Sequence, residues 1–203
     1  SVKQKFIEYL KYWIDKMFGT EPLKNSDYPR IINEKHYERL MKLIEGESIV
    51  KGGYGNKERL FIAPTVLDNI TEHSPIMQEE IFGPILPVLS YGNLEEAEAF
   101  IKKGEKPLAL YLFTGNKKTE QRILNTISFG GGCINDTIIH LATSRMGFGG
   151  VGASGMGSYH GKRSFDTFSH TRSIVKKYQW IDLPIRYQPY TRRKKKLLHL
   201  FLK

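Results

Sequence analysis

Cysteine is almost absent from this sequence, which contains Cys133 and no other among its 203 residues. A disulfide within the chain is therefore excluded, and so is a zinc site built from several cysteine thiolates. The six histidines lack the HExxH spacing of a catalytic zinc site, so we predict that no metal is bound. So little cysteine is typical of a reducing compartment, and we expect a cytoplasmic protein.

Long apolar runs are missing as well. No run approaches the roughly 20 apolar residues that a membrane-spanning helix needs, and residues 1–5 lack the apolar segment of a signal peptide. Hydrophobic residues nevertheless make up 40% of the chain and aromatic residues 12%. A chain of this length and composition can bury a substantial core, which predicts one or two globular domains.

Acidic residues are missing from the last part of the sequence. Seven basic residues and no acidic ones occur from Arg186 onward, although the whole chain has 31 basic and 21 acidic residues and a net charge of +10. The remainder therefore holds 24 basic and 21 acidic residues and is nearly balanced. We predict no nucleic-acid partner, because a basic tail on a balanced body is more often solvated or in contact with an anionic surface.

Two amphipathic helices are predicted at the start of the chain. The first buries a face marked by six apolar residues at helical spacing: Phe6, Ile7, Leu10, Trp13, Ile14 and Met17. Gly19 follows its end. The second begins after Asn33, whose side chain can cap the first turn, and ends at Gly46. Its buried residues are Tyr37, Leu40, Leu43 and Ile44.

Five later segments are predicted to be strands: 48–51, 60–67, 85–89, 108–113 and 133–135. The first two form a loose pair, in which Pro64 limits the second strand to a sheet edge or an irregular run. Helices are predicted between the later strands, one begun by a capping box at Asn93 and Glu96 and one opened by Asn116. Continuous apolar strands separated by helices predict an α/β fold with a mostly parallel sheet buried on both faces.

Two carboxylates and an aromatic ring precede a Gly-Pro break in residues 79–84, whose sequence is EEIFGP. An apolar run follows at once, so the segment predicts a binding turn that leads into a buried strand. Glu79 and Glu80 can accept hydrogen bonds from a diol such as a ribose, and Phe82 can stack on a flat heterocycle. The alternative is a solvated helix end, because such charged pairs are usually exposed.

Residues 150–155 match the G-x-G-x-x-G pattern of dinucleotide-binding loops. That loop requires a buried strand before it and a helix after it. Residues 142–147 are not a buried strand, and further glycines follow, so we do not interpret the pattern as a Rossmann loop. The glycines at 130–132 and 147–161 instead predict backbone that passes close to a ligand or to another backbone segment.

The EEIFGP segment resembles a signature of NAD(P)-dependent aldehyde dehydrogenases. Residues 148–161, FGGVGASGMGSYHG, resemble a loop of the class 3 branch of that family, which includes fatty and aromatic aldehyde dehydrogenases. The similarity runs from about Val2 to Pro189 and covers the C-terminal half of such an enzyme. It implies an aldehyde-dehydrogenase-like catalytic domain over residues 1–185, with an assembly strand near 173–178 and with the N-terminal Rossmann half absent. Residues 186–203 form a basic and apolar tail.

The resemblance also implies roles for individual residues. The cofactor would be NAD or NADP, with Glu80 on the nicotinamide ribose and Phe82 near the ring. Phe148 would line the aldehyde tunnel, with Ile138, Leu141 and His160 near it. Core packing is the alternative for each tunnel residue, and for His160 we favour a hydrogen-bonded structural role over an acid or base.

By the same resemblance, the catalytic residues are expected upstream of this chain. The family takes its nucleophilic cysteine from a GQxC segment and its base from an ELGGK-type glutamate, and neither motif occurs here. Cys133 has no Lys, Arg or His near it in sequence, and free cysteines are usually buried, so we predict a structural role. A further departure is Gly147, where the family usually has proline.

The expected function is oxidation of an aldehyde, medium or long in chain or aromatic, to a carboxylic acid. The complete enzyme would be a homodimer, and this half would be inactive alone. The alternative is a noncatalytic remnant or an assembly module of a disrupted aldehyde dehydrogenase gene.

The basic and the apolar residues of the tail are segregated. Residues 192–196 are all basic, and an almost wholly apolar run follows at 197–202. This juxtaposition is typical of a membrane-surface anchor, so we predict peripheral membrane contact through residues 192–202. Packing of the tail on a partner subunit is the alternative.

Overall fold

The computed structural model describes residues 2–201 and divides into two compact units. The first unit ends at Lys103 and the second begins at Gly104. Within the described residues, no helix is long and apolar enough to cross a membrane.

Among its described residues, the first unit contains three α-helices and five strands. The helices are α1 (Val2–Phe18), α2 (Glu34–Leu43) and α3 (Leu94–Lys103). The strands are β1 (Ser48–Lys51), β2 (Gly55–Asn56), β3 (Phe61–Ile62), β4 (Thr65–Asp68) and β5 (Ile85–Pro87). One sheet has the order β1-β4-β5, with β1 antiparallel and β5 parallel to β4, and β2 pairs with β3 in a small antiparallel ladder.

The core of the first unit lies beneath α2. Asn33 begins this helix, as predicted, because its side-chain oxygen accepts a hydrogen bond from the backbone N–H of His36 at 2.9 Å. Tyr37, Leu40 and Ile44 are buried against the apolar residues of β3, β4 and β5. The helix therefore packs through the face that its apolar periodicity predicted.

The buried face of α1 is narrower than predicted. Ile7 is buried with Val66 and Val88, and Leu10 and Ile14 pack partly against them. The prediction was wrong for the other half of the stripe, because Phe6, Trp13 and Met17 are exposed. The ring of Trp13 contacts a cation instead, with Lys16 Nζ 4.4 Å from the ring centroid.

In the part of the second unit that the structure describes, there are three further α-helices and two strands. They are β6 (Ala109–Leu112), α4 (Lys117–Thr126), β7 (Gly131–Ile134), α5 (Gly161–Thr167) and α6 (Arg192–Phe201). The strands β6 and β7 are parallel, in the register Ala109↔Gly131. Asn116 caps α4 by accepting a hydrogen bond from the backbone N–H of Lys118 at 2.9 Å, and this helix buries Ile123.

The α/β class is confirmed, but the predicted single sheet is divided. The described strands form three small sheets of three, two and two strands. Pro64 lies between β3 and β4, which splits the predicted strand 60–67 where proline cannot donate to a ladder. The prediction of burial on both faces was wrong for β6, since Tyr111 is 37% exposed. Residues 169–178 contain neither helix nor strand, and the assembly strand stays a prediction.

Candidate active site

The EEIF turn, residues 79–82, lies in the first unit and leads directly into β5. It follows a short 3-10 helix, Pro75–Met77. Its conformation is unusual, because Phe82 has a positive φ of 47°. Gly83 then passes so close to α2 that an added Cβ would lie 2.6 Å from the Cδ atoms of Leu40. A side chain at this glycine would require the turn or the buried Leu40 side chain to shift.

Arg39 of α2 holds the backbone of the EEIF turn in place. Its Nη2 donates to the carbonyl oxygen of Ile81 at 2.7 Å, and its Nη1 donates to that of Glu80 at 3.4 Å. The same Nη1 pairs with the carboxylate of Glu79 at 2.5 Å. The two glutamates therefore have different surroundings, since Glu79 is an ion-pair partner and Glu80 contributes only its carbonyl to Arg39. The exposed Glu80 carboxylate can accept a ligand.

A mostly apolar cavity of about 700 Å³ lies beside the turn. It is lined by residues 28–32, His36 and residues 82–84. Phe82 is 83% exposed, so its ring is accessible to a flat ligand. The Tyr28 hydroxyl donates to the carbonyl oxygen of Ile62 at 2.6 Å, and burial raises the pKa of Tyr28 to about 12. Tyr28 is therefore neutral near pH 7 and can act here only as a hydrogen-bonding group.

An aromatic cluster occupies the second unit and contains Tyr111, His140, Phe148, Tyr159 and His160. Phe148 is central, with ring centroids at 6.1 Å from His140, 5.7 Å from Tyr159 and 6.3 Å from His160. Tyr159 and His160 are 4.3 Å apart in an edge-on contact. Two of the predicted tunnel residues, Phe148 and His160, are thus brought together although twelve positions separate them.

The glycine-rich loop folds back on its own backbone. Phe148 and Tyr159 exchange two backbone hydrogen bonds, of 2.9 and 3.0 Å, which close the loop at its base. Inside the loop, a Cβ on Gly150 would collide with the backbone of Ser154. The glycines therefore permit contact between backbone segments, which is one of the two predicted reasons for them. Residues 150–155, which carry the G-x-G-x-x-G pattern, contain a three-residue 3-10 helix, Gly152–Ser154, and no α-helix begins directly after them. The loop therefore lacks the geometry of a Rossmann loop.

Ile138 directly precedes a short 3-10 helix, Ile139–Leu141, and Leu141 is the last residue of that helix. Ile138 has φ 63° and ψ −32°, and the N–H of Ile139 donates to the carbonyl oxygen of Thr137 at 2.6 Å. This is a strained γ-type turn, and it is rare for a β-branched residue. Ile138 is 62% exposed and Leu141 is half-buried, so core packing accounts for Leu141 better than for Ile138.

Cys133 lies next to His140 in the fold, although they are seven positions apart in sequence. Its Sγ lies 3.4 Å from Nδ1 of His140, whose Nε2 is buried and has no hydrogen-bond partner in the described residues. Cys133 has no Lys, Arg or His near it in sequence, but His140 contacts its thiol in the fold. The thiol is half-buried within β7, opposite Tyr111 of β6, which agrees with a structural position. No group of three or more potential metal ligands occurs among residues 2–201.

Three residues of these two sites escaped the sequence interpretation. Arg39 is separated by about 40 positions from the turn that it holds, and no motif connects them. His140 joins Cys133 to the aromatic cluster. Asn135 fixes the segment before Ile138 by accepting from the N–H of Thr114 at 2.8 Å and donating to its carbonyl at 2.9 Å. The positive φ of Asn135 could have been suspected, because asparagine tolerates it.

Comparisons with known proteins identify the family of the chain. The family model of the aldehyde dehydrogenase family matches residues 1–174. The chain is 49% identical to the 4,4'-diaponeurosporen-aldehyde dehydrogenase of Staphylococcus aureus over 94% of its length, and 46% identical to aldehyde dehydrogenase family 3 member H1 of Arabidopsis thaliana over 96%. It spans about two fifths of each relative, 42% and 41% of their lengths.

Solved structures give the same result. One is the substrate-bound state of Staphylococcus aureus AldH, which matches all of this chain with a TM-score of 0.91 and 48% identity, over 44% of that chain. Another is the betaine aldehyde dehydrogenase of Staphylococcus aureus in complex with NAD+, with a TM-score of 0.72 and 25% identity over 90% of this chain and 39% of that one.

Proposed function

The chain belongs to the aldehyde dehydrogenase family, and from this premise we propose that it is the C-terminal half of an enzyme that oxidises an aldehyde to a carboxylic acid with NAD or NADP. The observation that carries the proposal is the EEIF turn, which Arg39 holds so that Glu80 and Phe82 are both exposed. A carboxylate and an open aromatic face, fixed two positions apart in one turn, suit a ribose diol joined to a flat nicotinamide ring. Similar proteins with NAD+ bound, and others named NADP-preferring, support either cofactor.

The aldehyde substrate follows from the aromatic cluster. Phe148, Tyr159 and His160 offer ring surfaces, and Ile138 adds an exposed aliphatic side chain in the same unit. Apolar and aromatic walls favour a substrate with an apolar body over a small polar aldehyde. We therefore propose a medium-chain, long-chain or aromatic aldehyde.

The catalytic nucleophile and base are proposed to come from a part of the enzyme outside these 203 residues. Aldehyde oxidation needs a thiolate that attacks the carbonyl carbon and a base that activates water for hydrolysis of the thioester. Cys133 is the one cysteine of the chain, and it is half-buried in β7 with its sulfur against His140. We propose a structural role for it, and a cytoplasmic homodimer for the complete enzyme.

Replacement of Glu80 by Gln in the complete protein tests this proposal. Loss of a hydrogen bond to a charged acceptor costs about 1.5 to 3 kcal/mol, so kcat/KM for the cofactor should fall about tenfold or more. Glu58→Gln is the matched control, because Glu58 is an exposed glutamate of the same unit that lies outside the turn. Reduced-nicotinamide absorbance gives the rates.

Two results would contradict the proposal. Equal kinetics for the wild type and Glu80→Gln would remove Glu80 from the cofactor site. Failure of the complete protein to oxidise any apolar aldehyde with either cofactor would favour the alternative of a noncatalytic assembly module.

A further inference from the structure

The helix α6 concentrates positive charge where a helix tolerates it least. Its first five residues, 192–196, are all basic, and its first turn contains no acidic residue. The free N–H groups at a helix N-terminus carry a partial positive charge, so cations there are unfavourable. The helix is nevertheless formed, and the N–H of Lys195 donates to the carbonyl oxygen of Thr191 at 3.0 Å. An anionic surface would relieve this accumulation of like charge.

The same helix also exposes apolar side chains. Leu197, Leu200 and Phe201 are 47, 72 and 76% exposed. They occur at positions i, i+3 and i+4, so they lie on one face of the helix. Leu198 is half-buried, whereas these three side chains are exposed to solvent. The helix therefore presents a cationic segment, residues 192–196, followed directly by exposed apolar side chains.

We propose that α6 docks on an anionic lipid surface, with residues 192–196 at the headgroups and Leu197, Leu200 and Phe201 inserted among the outermost acyl carbons. A lipid surface matches both halves of the helix, whereas a nucleic acid would use the cations and leave the three apolar side chains in water. Ten residues of helix extend only about 15 Å, which is half the hydrocarbon thickness, so the helix lies on the membrane and does not span it. Attraction of basic residues and burial of apolar ones add in such helices.

Co-sedimentation of the full chain with vesicles tests the proposal. The vesicles are phosphatidylcholine alone, or phosphatidylcholine with a third of phosphatidylglycerol. We expect binding to the anionic vesicles that weakens with added salt, and little binding to the neutral ones. Lys195→Glu with Lys196→Glu should lower the partition coefficient roughly thirtyfold or more. Phe201→Ser should lower it by at least about fivefold, because an inserted ring is lost.

Matched controls separate docking from general charge and hydrophobicity. Lys117→Glu with Lys118→Glu makes the same change in net charge at exposed positions of α4, and Val2→Ser removes an apolar side chain that is 85% exposed. Both controls should bind as the wild type does. Equal pelleting with neutral and anionic vesicles, or equal loss in the α4 control, would overturn the proposal. Absence of binding together with a change of oligomeric mass in Phe201→Ser would show that α6 packs on a second subunit instead.

Discussion

Half of the described residues other than glycine that have a strained backbone are residues proposed for the site. Six residues other than glycine have a positive φ in the described chain, and three of them are Phe82, Ile138 and His160, with φ of 47, 63 and 83°. Each such conformation costs about 1 to 3 kcal/mol and persists where the surrounding structure or the function requires it. None of the three is a residue type that adopts this region without cost, apart from the modest tolerance of histidine. This distribution supports the proposed roles independently of sequence resemblance.

The strain at Ile138 can be measured by replacement with glycine. Glycine adopts positive φ without steric cost, and the Ile138 side chain is mostly exposed, so little burial is lost. Ile138→Gly should leave the free energy of unfolding unchanged or raise it by about 1 kcal/mol in urea denaturation. Ile139→Gly is the control, because Ile139 has a similar exposure of 58% and should lose about 1 kcal/mol. Equal losses for both variants would show that Ile138 is not strained.

Between elements, the contact of α2 with the EEIF turn connects the fold to the proposed cofactor site. Arg39→Met removes the donors to Ile81 and Glu80 while keeping much of the apolar stem. The turn should then lose its fixed conformation, and the KM for the cofactor should rise about tenfold with smaller change in the KM for aldehyde. Lys35→Met, four residues earlier on α2 and exposed, removes the same charge and should have no such effect.

Arg39→Lys distinguishes positioning from charge. Lysine keeps the positive charge but cannot form the planar two-nitrogen contact, so it should restore only part of the cofactor affinity. Full rescue by lysine, or an equal loss in Lys35→Met, would show that the guanidinium does not position the turn.

The ion pair between α1 and β4 makes stability depend on pH. The hydrogen bond from Lys3 Nζ, at 2.7 Å, holds the pKa of Asp68 below its usual value, and the N–H of Asn69 adds to this. A lowered pKa means that the stabilisation is complete above the ordinary carboxyl pKa of about 3.9 and is lost as the pH falls through the lower folded-state value. The free energy of unfolding should therefore differ between wild type and Asp68→Asn at pH 6, and the difference should disappear in strong acid.

The partner lysine supplies the control for this prediction. In a Lys3→Met background, Asp68→Asn should have a much smaller effect at pH 6, because the main cause of the low pKa is already gone. A difference between wild type and Asp68→Asn that stayed constant down to strong acid would contradict the role of the carboxylate.

Local patterns predicted the elements, and contacts distant in sequence escaped prediction. Asn33 and Asn116 cap their helices as expected, because a cap needs only the residues of one helical turn. Glu96 follows the same logic, accepting from the N–H of Gly92 at 2.8 Å while its own N–H donates to Asn93. Arg39 and His140 were missed because each acts on a segment that no periodicity relates to it. The exposed half of α1 was missed because an apolar stripe marks a helix face but does not show how much of that face the neighbouring elements cover.

At the scale of the whole molecule, several large apolar side chains are exposed to solvent. Phe6, Tyr9 and Tyr12 are exposed on α1, and Val175 and Trp180 are exposed after α5, at 95 and 80%. Large exposed apolar areas in soluble proteins usually mark contacts with other protein surfaces. This supports the proposals that the chain is one part of a larger enzyme and that its residues near 173–178 form an assembly strand.

We predict that the purified 203-residue chain does not oxidise aldehydes, even when circular dichroism shows it folded and NAD or NADP is abundant. Hydride transfer requires a thiohemiacetal held against the nicotinamide, and such positioning supplies roughly 7 to 11 kcal/mol of the barrier reduction. Glu80 and Phe82 can touch one ribose and one ring, which is too little contact to hold a dinucleotide. Cys133 is half-buried in β7 with its sulfur against His140, so we expect its thiol not to attack a carbonyl. Aldehyde-dependent formation of reduced nicotinamide that disappears in Cys133→Ala would identify Cys133 as a nucleophile and refute its structural assignment.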